Sequence, residues 1–274
     1  MARRASRNYS RHLSGRRRSE AGDRRLGVIL AFVAGAVNAG GFIAVGAYTS
    51  HMSGFVSGLA DHMVLGRFGL ALMAVIYVFS FFSGAVTSSL LINWGRLKRL
   101  QSEFALAIML EAGLLLLFGL MAANPALGLA TETVIALLCY IMGLQNSLIT
   151  KASHAVIRTT HMTGVITDLG IEVGRYVFGH LTRTRTRFDG RKAAVLGALL
   201  LAFLLGGVVG AFGFGHYGFI SVLPFSALLA LVGIGPVRDD LLRRRRQKNR
   251  NGGKSAAPLE TPEENRQLDG HDAR

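Results

Sequence analysis

Two six-residue segments carry much of the polar chemistry in this chain: Thr49, Ser50, His51, Met52, Ser53, Gly54, and Thr159, Thr160, His161, Met162, Thr163, Gly164. Each sets an imidazole among hydroxyl groups, a combination that can hydrogen-bond an anion or a dipolar solute. Ser53 and Thr163 are the expected N-caps of the helices that follow. Those helices are predicted from the apolar spacing of Phe55, Val56, Leu59 and Met63, and of Val165, Ile166, Leu169 and Val173. The positive end of each helix dipole then points at whatever His51 and His161 line. Packing of a turning segment is the plainer role for either histidine.

Other polar groups stand out against apolar surroundings. Glu111 lies among Ile108, Met109, Leu110, Leu114 and Leu115, so in a membrane it must face the bundle interior, be neutral or find a partner. Asn38, Gln145 and Asn146 are amides in apolar stretches, able to line a path or to bond helix to helix. Asp168 and Glu172 share a helical face with Arg175 three residues beyond, which favours local ion pairing over cation binding or proton relay. The candidate substrate-binding set is therefore Asn38, Thr49, His51, Ser53, Glu111, Gln145, Asn146, Thr160, His161, Thr163 and Asp168. No metal site and no cofactor is expected. Nucleotide-binding glycine loops, zinc-protease histidine pairs and glycine-framed nucleophilic serines are missing, so no enzymatic activity is expected either.

The elements that hold these residues follow from composition. Half of the 274 residues are hydrophobic and 17% are charged, with a mean hydropathy of +0.38. The charges crowd into a few stretches, which a bilayer imposes and a water-soluble surface does not. Six transmembrane helices are predicted: Leu26–Ala47, Leu70–Ile92, Phe104–Met121, Thr133–Thr150, Ala193–Phe212 and Tyr217–Gly235. Gly213, Gly215 and Gly218 around His216 suit a tight turn, and Pro224 is expected to kink the sixth span. Residues 1–25 read as a disordered basic arm, and residues 238–274 as a disordered tail, basic then acidic.

Of 31 Lys and Arg, all but Arg67 fall in alternate segments, so both termini are expected in the cytoplasm of a multi-pass protein. The same distribution accounts for the net charge of +15 through anionic lipid headgroups rather than nucleic acid. Cys139 is the single cysteine and excludes an intrachain disulfide. Small residues every fourth position (Ala31, Gly35, Ala39; Ser80, Gly84, Ser88; Gly206, Gly210) predict close helix packing or a homodimer seam.

The two hexapeptides belong to a longer repeat. Gly35 and Asn38 match Gly143 and Asn146, and Gly66, Arg67, Phe68 match Gly174, Arg175, Tyr176, all 108 residues apart, while His51 and His161 are 110 apart. A unit of three spans reverses the direction of its second copy, which predicts an inverted 3+3 repeat over about 26–122 and 133–237. The Asn38 and Asn146 amides could then meet in an axial polar cluster.

At Val37 to Phe42, Tyr48 to Met52, Ile92 to Arg96, Gly143 to Asn146 and Arg158 to Gly164 with Thr167 and Asp168, the sequence resembles the YoaK family of bacterial inner-membrane proteins, defined by a domain of unknown function. The resemblance covers roughly residues 26–237. It implies a bacterial six-helix inner-membrane protein and brings no established substrate. The function expected is transport or channelling of a small solute or ion. The alternative is a scaffold that binds lipid or a protein partner.

Overall fold

The computed structural model describes residues 20–124, 130–153, 159–184 and 186–254; residues 1–19, Arg158 and the tail from 255 lie outside them. The described residues are helical, with no strand among them. In chain order the helices are α1 (Glu20–Val45), α2 (Met52–Val64), α3 (Phe68–Leu97), α4 (Ala105–Ala122), α5 (Thr131–Ala152), α6 (Met162–Thr182), α7 (Gly190–Tyr217) and α8 (Leu223–Lys254), with a 3-10 turn at Gly218–Val222.

Five segments are long and apolar enough to cross a membrane: Ala21–Val45, Phe68–Leu97, Ala105–Ala122, Thr131–Ala152 and Gly190–Arg243. The fifth, at 54 residues, far exceeds the roughly 20 that one crossing needs, and contains α7 and the first two-thirds of α8. The chain reverses inside it. A methyl on Gly213 would meet the Ser221 side chain at 3.1 Å, and Gly218 takes φ 65° and ψ −151°, open to glycine. Helix α7 runs on through Gly213 and Gly215, so the turn falls later than the glycine cluster suggested. Pro224 is the second residue of α8, where a missing N–H costs nothing, and no kink is required there. The proline in the helix interior is Pro236. Helix α8 continues through 238–254, which the sequence assigned to a disordered tail.

Glycines set the closest approaches. Helices α1 and α7 run in the same direction: Gly206 and Gly210 of α7 lie against the Phe32 and Ala36 carbonyls, and Gly35 lies against that of Phe203. Helices α3 and α5 are also parallel, with Gly84 against the Tyr140 carbonyl and Gly143 against that of Phe81. A methyl at any of these five would strike backbone, so the small-residue stripes serve packing within the chain. These contacts correspond pairwise: positions 32 and 140, and 35 and 143, are 108 apart, and 81 and 203, and 84 and 206, are 122 apart. Helix α8 packs antiparallel on α4, where the Ser226 hydroxyl donates to the Ala112 carbonyl at 2.7 Å. The Asp240 carboxylate fastens α8 to the connection before α4, accepting from the Ser102 amide at 2.9 Å and the Gln101 amide at 3.1 Å.

Helices α2 and α6 pack differently. Helix α2 has no buried residue, and α6 buries Val165 and Glu172 alone. Each forms a hairpin with the helix after it, at α2–α3 through Phe55 and Tyr77, whose ring centroids are 5.1 Å apart.

Candidate functional site

Each hexapeptide follows the C-terminal end of a long helix and folds back along it. Asn38 stands seven residues before the end of α1, about 10 Å at 1.5 Å per residue. Its Oδ1 accepts from the Ser50 amide at 3.1 Å and the Ser50 hydroxyl at 2.9 Å. Asn146 stands six residues before the end of α5, and its Oδ1 accepts from the Thr160 hydroxyl at 2.7 Å. The two segments are thus tied by the same bond at corresponding residues. Thr49 and Thr159 are fully buried, and neither hydroxyl has a hydrogen-bond partner among the described residues.

The N-cap positions of α2 and α6 are His51 and His161, and neither makes a side-chain capping bond. Ser53 and Thr163, the expected caps, lie inside the first turn. The reason is local packing: each imidazole folds over the helix start, where a methyl on Gly54 would strike the His51 ring and one on Gly164 would fall 2.6 Å from His161 Nδ1. Both histidines remain exposed, at the N-terminal end of their helices.

Glu111 and Gln145 meet between α4 and α5. Both are fully buried, and the Gln145 amide donates to Glu111 Oε1 at 2.7 Å. Glu111 Oε2 and Gln145 Oε1 have no partner among the described residues. Asp168 is placed elsewhere, at the α6–α7 hairpin, with Lys192 Nζ 3.5 Å from its Oδ2. Beside it the buried Glu172 accepts from Arg175 at 2.8 Å and from the Asp189 amide at 3.0 Å. Asp189 in turn caps α7, accepting from the Arg191 and Lys192 amides at 2.9 and 3.0 Å. Bonding from the Lys192 amide is the largest cause holding the Asp189 carboxyl below its ordinary value.

The candidate residues therefore form four groups: Asn38, Thr49, His51 and Ser53; Asn146, Thr160, His161 and Thr163; Glu111 with Gln145; and Asp168. Asn38 and Asn146 do not pair across the molecule; each anchors its own segment. Sequence reasoning overlooked Ser50, although it is the counterpart of Thr160, and treated Thr159 apart from its counterpart Thr49. Among the described residues no three His, Cys, Asp or Glu side chains are grouped to hold a metal.

One cavity adjoins the first hexapeptide. It encloses about 260 Å³ and is lined by Gly54, Phe55, Gly58 and His62 of α2, Leu70, Met73, Ala74 and Tyr77 of α3, and Glu132 of α5. A groove of about 450 Å³ lies between α1 and α7, where Arg24, Arg25 and Arg191 stand beside Val28, Ile29, Ala194, Val195 and Ala198.

Long apolar helices, glycine-mediated crossings and polar groups held between helices define a helical membrane protein. The chain belongs to the family described as "Protein of unknown function (DUF1275)", whose profile matches residues 26–235. No curated protein and no solved structure matches it.

Proposed function

We propose that the chain is a six-span inner-membrane protein, built as an inverted 3+3 repeat with both termini in the cytoplasm, that moves a small solute or ion. The observation that carries this reading is the duplicated tie of Asn38 to Ser50 and Asn146 to Thr160. In both halves it draws a polar segment back along an apolar helix and starts a loosely packed helix there. Half-helices whose N-termini end inside the bundle are the device by which transporters of inverted-repeat design hold substrate. The matching glycine contacts support the repeat. Division of Gly190–Arg243 into two helices supports six crossings, and the distribution of Lys and Arg supports the orientation.

Three pairs of polar residues support this role in different ways. His51 and His161 stand at the positive ends of α2 and α6, where an anionic or dipolar group is favoured. The hydroxyls of Thr49 and Thr159 are available to a ligand reaching that depth. Glu111 with Gln145 offers a buried exchangeable proton, since a lone carboxylate in apolar surroundings is costly. The likeness to the YoaK family is consistent with a bacterial inner membrane.

Flux tests the proposal. Full-length protein in liposomes is screened against small anions, zwitterions and cations by solute-dependent charge movement. Flux for at least one solute, reduced at least tenfold in both Asn38→Ala and Asn146→Ala, is expected. Absence of flux across the panel from folded protein would overturn it. The groove of Arg24, Arg25 and Arg191 over an apolar floor favours a second reading, a lipid-binding scaffold, and that reading stands if flux is absent.

A further inference from the structure

We infer that the cavity between α2, α3 and Glu132 is a binding site for a small organic cation, an ammonium group carried on an apolar body. The inference does not rest on transport, because binding is read at equilibrium.

The cavity is apolar through most of its length, with the Phe55 and Tyr77 rings and the Met73 thioether along its wall. Two aromatic faces and a thioether accommodate an apolar body and attract a cation at short range. Its polar side chains are Glu132, His62 and the Tyr77 hydroxyl. Glu132 supplies a carboxylate. His62 lies in the last turn of α2, where the helix dipole adds negative potential. Its Nδ1 is buried and has no hydrogen-bond partner among the described residues. An ammonium group supplies what this end lacks, a positive charge and N–H donors for a carboxylate and an imidazole nitrogen.

The corresponding place in the second half is lined with different charges. Gly58 and Leu70, which line the cavity, correspond to Asp168 and Lys192, 110 and 122 residues on. There the two side chains form an ion pair at 3.5 Å, next to Glu172, the counterpart of His62. The second half places an ion pair at the counterparts of Gly58 and Leu70, and in the groove beside it Arg24 stands at the counterpart of Glu132, with the charge reversed.

The test uses full-length protein in nanodiscs and three probes of one shape: phenethylammonium, the neutral 2-phenylethanol and the anionic phenylacetate. Affinities are read by saturation-transfer NMR. Phenethylammonium is expected to bind at least tenfold more tightly than either other probe. Glu132→Gln, which keeps the size of an exposed side chain and removes its charge, is expected to weaken the amine about three- to tenfold and leave the alcohol unchanged. Gly58→Asp combined with Leu70→Lys, which writes the second half's ion pair into the cavity, is expected to abolish amine binding. Met73→Trp fills the same space without charge and is expected to do likewise. Equal affinity for amine and alcohol would overturn the inference by showing partition into an apolar cleft. So would no binding by any probe, or amine binding that survives both filled variants.

Discussion

The α2–α3 and α6–α7 hairpins are built on the same backbone plan and held by different forces. At α2–α3 the contact is aromatic, Phe55 against Tyr77, beside an open cavity, and no residue of α2 is buried. At α6–α7 a ring contact, Tyr176 against Phe188 at 5.3 Å, is joined by ionic ones: Asp168 with Lys192, and a buried Glu172 held by Arg175 and the Asp189 amide. What the two halves share is the set of close approaches: glycines against carbonyls, and an asparagine oxygen against a hydroxyl. What differs is side-chain charge, the property that the two faces of a membrane select differently. Duplicated architecture is kept where helices cross closely, and chemistry diverges where the hairpins reach the surface.

The largest effects are expected where the halves agree. Gly35→Ala and Gly143→Ala each force a methyl onto a backbone carbonyl, and each is expected to cost about 1–3 kcal/mol, measured by unfolding in detergent. Gly113→Ala, with open space around it, is expected to be neutral or slightly stabilising. Similar losses at Gly35 and Gly143 sharpen the correspondence; a neutral result at either breaks it.

Next come the positions where the halves differ. Glu172→Ala removes three interactions and leaves the Asp189 amide without its acceptor. Because Arg175 and Lys192 are nearly half exposed, the expected loss is about 1–2 kcal/mol rather than that of a fully buried pair. His62→Ala, at the counterpart position, is expected to change stability by less than about 0.5 kcal/mol. Equal losses at the two positions would mean that the α2–α3 hairpin is as tightly held as its counterpart. Asn38→Ala and Asn146→Ala are each expected to cost about 1 kcal/mol by releasing one anchored segment. Unequal losses would separate the two ties.

The smallest effect concerns Asp189. Its carboxyl is held below the ordinary value of 3.8 mainly by the Lys192 amide. A depressed pKa contributes stability that is present above the ordinary value and lost as pH falls through the folded one. Asp189→Asn is therefore expected to flatten the acid limb of the stability curve below about pH 4 and to leave neutral pH nearly unchanged, as followed by circular dichroism.

How far the sequence could be read depended on the kind of signal. Charge segregation marked the first five long apolar helices to within about six residues, because desolvating Lys or Arg is costly enough to exclude them from a span. The sixth span, expected at Tyr217–Gly235, falls in a helix that starts at Leu223 and runs on to Lys254. The proposed repeat rests on Gly, Asn, His and Met recurring at fixed intervals in the two halves. Ser50 was missed as the partner of Asn38, although Thr160 pointed to it, because a bond across a reversal of the chain has no periodicity to reveal it. The histidine caps were missed because Ser and Thr outrank His as caps on average, and ring packing over Gly54 and Gly164 overrode that preference. The pairing of Asp168 with Lys192 lay beyond sequence reasoning because it depends on the phase of two helices across a hairpin turn.

The repeat's inversion is the central claim, and thiol accessibility tests it most directly. Cys139, fully buried, is replaced, and single cysteines are placed at the exposed positions Ser57 of α2 and Thr167 of α6. Intact cells are then treated with a membrane-impermeant thiol reagent. Labelling at Ser57 in intact cells, with Thr167 reacting only after permeabilisation, is the result the account predicts. Labelling of both positions from the same side would contradict it.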